Sequence, residues 1–556
     1  MRTLPRRDFV KLSSLGALGM IIGCGGDRTF DLIIRNGLVF DGLGNPAVKT
    51  DIGIRGKHIA ALGDLSQARA RRVIDAANMA VAPGFIDIHT HTDTELLVNG
   101  KGESKIRQGV TLEVSGNCGY SPFPMLHEDA VEFHEGLAER YGLKTSWERA
   151  AGFLDALEAA GTSLNYATLT GHGTLRSFVV GRNDVDPTPG QMALMKTVLA
   201  ETMEQGSFGL STGLEYAPGS YATTEELIDL CKTVADHNGF HATHMRNEDD
   251  TVEEAIDEAL RIGRESGVFT QISHLKACNR ANWHKVDHML EMIHEARAHQ
   301  PVMADRYPYD AWGTGLSAFL PLWARQGDTD EVLARLENPD DASRIEAYAH
   351  SRTERIGGWD RVMISSCRAE ADKPCEGMTI LEGAEQRGQS PFEFMRSLLL
   401  NSRNSVSVVG FAMDEDNLKK VLAADFVFIG SDGNAVAPYG KLYSGNPHPR
   451  YYGAHARVLG RYVREERVLE LADAVRKMTS GPAEVLGISD RGHIAPDVYA
   501  DLVIFDPLQV IDKATYSKPH QFAEGVQQVI VNGKVTVDGG EHTGVMAGQV
   551  LRHSSS

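Results

Sequence analysis

Two histidines one residue apart, His89 and His91, close an apolar run that begins at Phe85. Alternate side chains of an extended strand share a face, so both imidazoles are expected on one side of the chain. Two neutral imidazoles at that spacing can share a divalent ion. A His-x-His pair alone arises easily by chance, but four more strand-like runs end in a possible ligand. Cys118 follows Ser115-Gly116-Asn117, and His244 closes His241-Ala242-Thr243. His274 follows Ile272-Ser273, and Asp432 follows Gly430-Ser431. Recurrence of such groups at five run ends predicts a metal site. A thiolate among the donors favours zinc or a similarly soft ion over magnesium. The number of ions does not follow from the residues.

Elements that could bring these groups together are legible in the middle of the chain. Eight strand-like runs (85–91, 110–115, 165–171, 206–212, 240–245, 269–275, 302–307 and 426–432) alternate with polar or amphipathic helical stretches. That alternation predicts a parallel sheet, and eight units predict a (β/α)8 barrel of TIM type over residues 85–484, with a doubly wound sheet as the alternative. Barrel enzymes place their chemistry at the C-terminal ends of the strands, where the candidate ligands fall. Residues 312–424 exceed any barrel connection and are expected to form an inserted subdomain after strand seven. Short strands broken by Asn-Gly and Asp-Gly turns occupy 27–84 and 485–553. They predict a small β-sandwich domain built from both chain ends.

These segments resemble the N-acyl-D-amino-acid deacylase (D-aminoacylase) family of the amidohydrolase superfamily. The resemblance runs over nearly the whole chain beyond residue 24. It includes His89-Thr90-His91, Gly116-Asn117-Cys118-Gly119, Gly171-His172-Gly173-Thr174, Ser211-Thr212-Gly213-Leu214-Glu215-Tyr216, Thr243-His244-Met245-Arg246, Ser273-His274-Leu275-Lys276, Tyr307-Pro308-Tyr309, Gly430-Ser431-Asp432-Gly433 and His448-Pro449-Arg450. Many amidohydrolases bridge two metals with a carboxylated lysine on strand four; that strand has no lysine here. The resemblance implies a zinc ion on Cys118, His244 and His274, and a second, weaker position at His89, His91 and Asp432. It implies hydrolysis of N-acyl-D-amino acids, small-molecule substrates whose carboxylate groups are bound by Arg450, Lys276 and Tyr307. Preference for the D-enantiomer comes wholly from the resemblance.

Asp432 is the best candidate for general base and acid, taking a proton from water and returning it to the departing nitrogen. Lys276 and Arg450 fall where cations could reach the same mouth. The run Leu316-Ser317-Ala318-Phe319-Leu320-Pro321-Leu322-Trp323 is expected to line the pocket and to favour apolar D-residues. Cyclic-amide hydrolysis and cell-surface dipeptide cleavage stay open as alternatives, and so does a lipid-anchored binding protein with a vestigial metal site.

Bulk properties narrow the partners. A formal charge of -19 over 556 residues lacks the positive surface that nucleic acid requires. Six cysteines in so long a chain make no disulfide framework, and Cys231, Cys278, Cys367 and Cys375 are expected as buried thiols. At the N-terminus, Arg6-Arg7-Asp8-Phe9-Val10-Lys11 precedes an apolar run and Ile21-Ile22-Gly23-Cys24. This resembles a twin-arginine export signal over residues 1–23 ending in a bacterial lipobox, with Cys24 the lipidation site. The expectation is an exported protein of the periplasm or cell envelope that meets membrane only through its lipid. Oligomeric state cannot be read from the sequence.

Overall fold

The computed structural model describes residues 29–554. Eight parallel strands form the central element: β1 (Phe85–Asp87), β2 (Val110–Ser115), β3 (Asn165–Thr168, resuming as Thr170–Gly171), β4 (Gly209–Gly213), β5 (Phe240–His244), β6 (Phe269–Ile272), β7 (Val302–Arg306) and β8 (Val427–Ile429). Each pairs in parallel with its chain neighbour. A parallel bridge from Thr90 to Gly433 closes the ring. The expected (β/α)8 barrel is the observed fold.

Which residues face inward follows from one cluster. Ile86, Ile88, Leu112, Val114, Ala167, Phe240, Ala242, Phe269 and Phe428 pack together, and side chains from six strands can meet only inside the barrel. Alternation then places Asp87 and Glu113 on the outer face of the wall. Strict alternation would send His89 outward as well. It does not, because the chain bends at Ile88 and His89 before Thr90 makes its bridge.

The insertion has its own antiparallel sheet, with Val406–Gly410 between Trp312–Gly315 and Val362–Cys367. Its separate core includes Leu316, Phe319, Ile345, Phe394 and Val408. The helix Glu415–Ala423 packs instead against the barrel through Val421 and Leu422. The insertion therefore ends near Gly410, short of the expected residue 424.

Both chain ends build the sandwich. Ala80–Pro83 lies antiparallel to Leu502–Phe505 in one sheet, which faces the sheet of Phe30–Arg35, Asp51–Arg55, His58–Gly63 and Ala70–Asp75. Leu32, Ile52, Ile54, Leu502 and Ile530 share the core between them. The last residues leave this domain: at the start of β3 the Tyr166 N–H donates to the Gln549 carbonyl of the tail, and the Tyr166 carbonyl accepts from the Leu551 N–H. The five cysteines within the described residues are free thiols, and no helix there is long and apolar enough to cross a membrane.

Candidate active site

The mouth of the barrel gathers the candidate ligands into two groups that share one sulfur. Donor atoms of Cys118, His244 and His274 lie within 4.8 Å of one another, as do those of His89, His91, Cys118 and Asp432. Cys118 Sγ is 3.4 Å from His89 Nε2 and 3.5 Å from His274 Nε2. His244 Nδ1 is 2.9 Å from His274 Nε2. Asp432 Oδ1 is 3.0 Å from His91 Nε2 and 3.6 Å from His89 Nε2. Separations of this size span a single coordination shell with bonds of about 2.0–2.3 Å.

Three of these residues lie just past strand ends in left-handed backbone, where a side chain is costly: Cys118 (φ 51°), His274 (φ 37°) and Asp432 (φ 50°). Such strain persists only where surrounding contacts over-determine the conformation, and it concentrates at functional sites.

Two of the histidines are backed by a carboxylate that sequence reasoning missed, and a third carboxylate stands farther off beside His244. Asp305, buried on β7, takes His89 Nδ1 at 3.0 Å, the His274 backbone N–H at 2.9 Å and the Gln271 amide at 2.6 Å. Glu248 Oε1 lies 2.8 Å from His274 Nδ1. Glu215 Oε2 lies 3.9 Å from His244 Nε2 and 3.7 Å from Arg352 of the insertion. A carboxylate on one ring nitrogen fixes the tautomer and directs the other nitrogen's lone pair towards the ion. His89 and His274 thus present Nε2, whereas His244 turns Nδ1 to the cluster, 2.9 Å from His274 Nε2, with Glu215 beyond hydrogen-bond reach of its Nε2.

The electrostatics of the cluster suit a cation. Burial opposes charge on His91, yet its hydrogen bond to Asp432 and the nearby Cys118 sulfur lift its pKa to about 10. His244 reaches about 10 against the same opposition, through Glu248, Cys118 and Glu215. Burial would raise the Cys118 thiol, but His89 and His274 hold it well below its usual range. A thiolate, two imidazoles, one of them oriented by a carboxylate, and a field that favours positive charge fit zinc.

The cluster lies in the wall of a cleft of about 1800 Å³ between barrel mouth and insertion. Arg450, Lys276 and Tyr307 all line it. Arg450 Nη1 is 2.9 Å from Asp432 Oδ2, and its guanidinium stands 4.7 Å from the centre of the Tyr307 ring. The Tyr307 hydroxyl is buried without a protein partner. Lys276 is already paired with Glu248, behind His274. The apolar run from Leu316 to Trp323 departs from expectation. Leu316, Phe319 and Leu320 fill the insertion's own core, and Ala318 alone of that run reaches the cleft. The nearby lining is Trp312, Thr314, Tyr216, Glu215 and Arg352, a mixed aromatic and polar surface that does not select for apolar side chains.

The chain matches the amidohydrolase family over residues 72–537. It is 36% identical over 529 residues to D-aminoacylase of Alcaligenes xylosoxydans xylosoxydans, covering 95% of this chain and 99% of that protein. It is equally 36% identical to N-acyl-D-glutamate deacylase of the same organism, over 90% of this chain and 93% of the relative. The crystal structure of N-acyl-D-glutamate deacylase from Bordetella bronchiseptica, complexed with zinc and a phosphonate mimic of the tetrahedral intermediate, superposes with a TM-score of 0.80. That alignment has 33% identity and covers 94% of this chain and all of the other.

Proposed function

Because this chain belongs to the amidohydrolase family, we propose that it is a zinc-dependent hydrolase of N-acyl-D-amino acids, with Asp432 as the group that moves the proton. The products are a carboxylic acid and a free D-amino acid. The observation that carries this reading is the thiolate–diimidazole donor set of Cys118, His244 and His274 with Asp432 beside it.

Bound zinc supplies Lewis acidity, lowering the pKa of a water ligand from 15.7 to about 7 and polarising the scissile carbonyl. Asp432 can accept the water proton at a carboxylate oxygen and deliver it to the amide nitrogen as the C–N bond breaks and the C–O bond forms. Its backbone N–H is anchored on the His89 carbonyl at 2.8 Å, which fixes the carboxylate over the cluster. Arg450, between Asp432 and the Tyr307 ring, offers a planar fork to the substrate carboxylate. The free Tyr307 hydroxyl supplies a further donor there.

The test is zinc analysis together with a release assay on paired N-acetyl-D- and N-acetyl-L-amino acids. One zinc or more per chain and release from the D-series are expected. Release from cyclic amides alone, or equal rates on both enantiomers, would overturn the reading.

The signal-like start extends the proposal to place. Residues 1–28 lie outside the described structure; the twin-arginine pattern and the lipobox ending at Cys24 support export and lipid attachment in the cell envelope. Metabolic labelling with palmitate should mark the wild type and leave Cys24→Ala unlabelled. An unlabelled wild type would remove the anchor from the proposal.

A further inference from the structure

Asp432 is held in left-handed backbone, a conformation costly for any residue with a side chain, and the contacts that hold it converge on one ammonium. Lys105 lies on the short helix Glu103–Ile106 and is wholly buried. Its Nζ donates to Ser431 Oγ at 2.5 Å and to the Gly433 carbonyl at 2.8 Å, the residues on either side of Asp432. The third donor goes to Asp87 Oδ2 at 3.0 Å. Asp87 Oδ1 in turn accepts the Ser431 backbone N–H at 2.8 Å. Glu113 Oε1 stands 3.5 Å from the ammonium as a second counter-charge.

Asp87 and Glu113 sit on the outer face of the barrel wall, so Lys105 approaches the Asp432 turn from behind and does not enter the cleft; it is absent from the cleft lining. A buried ion pair is a weak device for stability, since apolar packing of the same volume often serves as well. An ammonium can do what an apolar chain cannot: bind three acceptors with directed hydrogen bonds and fix one loop geometry.

We propose that Lys105 is a positioning residue for the reaction: it clamps the Ser431-Asp432-Gly433 turn so that the Asp432 carboxylate stays aligned over the reacting atoms. This rests on the reading of Asp432 as proton carrier, and the experiment separates the two. Four zinc-loaded proteins are compared with wild type for kcat and KM on an N-acetyl-D-amino acid, zinc per chain, Tm and affinity for a phosphonate mimic of the tetrahedral intermediate. They are Asp432→Asn, Lys105→Met, Ser431→Ala and the charge-balanced double variant Lys105→Met/Glu113→Gln.

The double variant is expected to keep its zinc and a KM within about twofold. It should lose roughly 10–100-fold in kcat and in phosphonate affinity, the scale of a misplacement of about 1 Å. Ser431→Ala, which removes one of the three contacts, the Gly433 N–H bond to the same oxygen and no charge, should lose about 3–10-fold in kcat at unchanged KM. It decides the matter if the lysine variants do not fold: unchanged kcat there overturns the proposal. A double variant with lowered Tm but wild-type kcat per zinc, beside an inactive Asp432→Asn, makes Lys105 merely structural and overturns the proposal alone. Near-normal turnover by Asp432→Asn overturns the reading of Asp432 and the proposal with it.

Discussion

At the scale of single residues, the site divides into candidate metal donors and groups that aim them. His89, Cys118, His244, His274 and Asp432 were legible because their types are the ordinary zinc donors and each closes a strand-like run. Asp305, Glu215 and Glu248 were not. They are three among 75 acidic residues, and nothing local marks a carboxylate that will stand behind an imidazole. Asp305 left a trace as a charged residue near the end of the apolar run of β7, and Glu215 as a member of the segment Ser211 to Tyr216 that carries the resemblance. Asp305→Asn keeps the shape but forfeits the charge on His89 Nδ1. A drop in zinc affinity of about 10–100-fold is expected, most marked for the position that includes His89, and chelator competition would measure it. Arg450→Ala should act differently, raising KM by roughly two orders of magnitude with zinc content unchanged, because a carboxylate loses its bidentate partner. Unaltered KM would remove Arg450 from the substrate site.

Strands and loops explain why the candidate ligands converge although the expected strand geometry was incomplete. Period-two reasoning treated residues 85–91 as one strand, whereas β1 stops at Asp87 and His89 reaches the mouth through a bend. The left-handed turns at Cys118, His274 and Asp432 are likewise set by how neighbouring strand ends pack, which no local pattern records. Long-range packing also decided the fate of the apolar run after Trp312: its residues served the insertion's core, and the polar Thr314 and Arg352 were left facing the cleft. Gly213, at the end of β4, shows how tightly these elements constrain the site. Its backbone is not left-handed, yet a Cβ there would collide with the Cys118 carbonyl. Gly213→Ala must therefore displace the Cys118 turn or the end of β4. A loss of about 1–3 kcal/mol in stability is expected, and with it weaker zinc retention on dialysis. Full zinc retention with an unchanged melting temperature would show that the turn can yield freely.

Over the whole molecule, buried histidines within the barrel and at its seam with the sandwich make stability depend on pH. His455 is the clearest case. It is fully buried, stacks on Phe85 of β1 with rings 5.9 Å apart, and neither ring nitrogen has a partner. Burial holds its pKa down at about 4, against a partial pull upward from Asp87, while Lys105 adds to the lowering. His542, which meets Ser163 between sandwich and barrel, is also lowered to about 4, by burial and by Lys101 and Arg107. In the folded protein both rings stay neutral through mildly acidic pH, whereas in the unfolded chain they take up protons below about 6.5. Protons then favour the unfolded state, so the contribution is fully present above pH 6.5 and is lost as pH falls towards 4. For His455 the loss reaches about 3 kcal/mol at most, from a shift of about 2.5 units. Zinc release by protonation of its ligands adds a separate acid loss, which a single melting series would not distinguish. His455→Phe separates them, because it keeps the ring stack, breaks no side-chain hydrogen bond and removes one proton site that is not among the metal donors. Its melting temperature at pH 7.5 should stay close to wild type, and its decline between pH 6.5 and 4.5 should be shallower. Parallel melting curves for the two proteins would assign the acid loss to the metal centre instead, and His455 would then be an inert part of the packing.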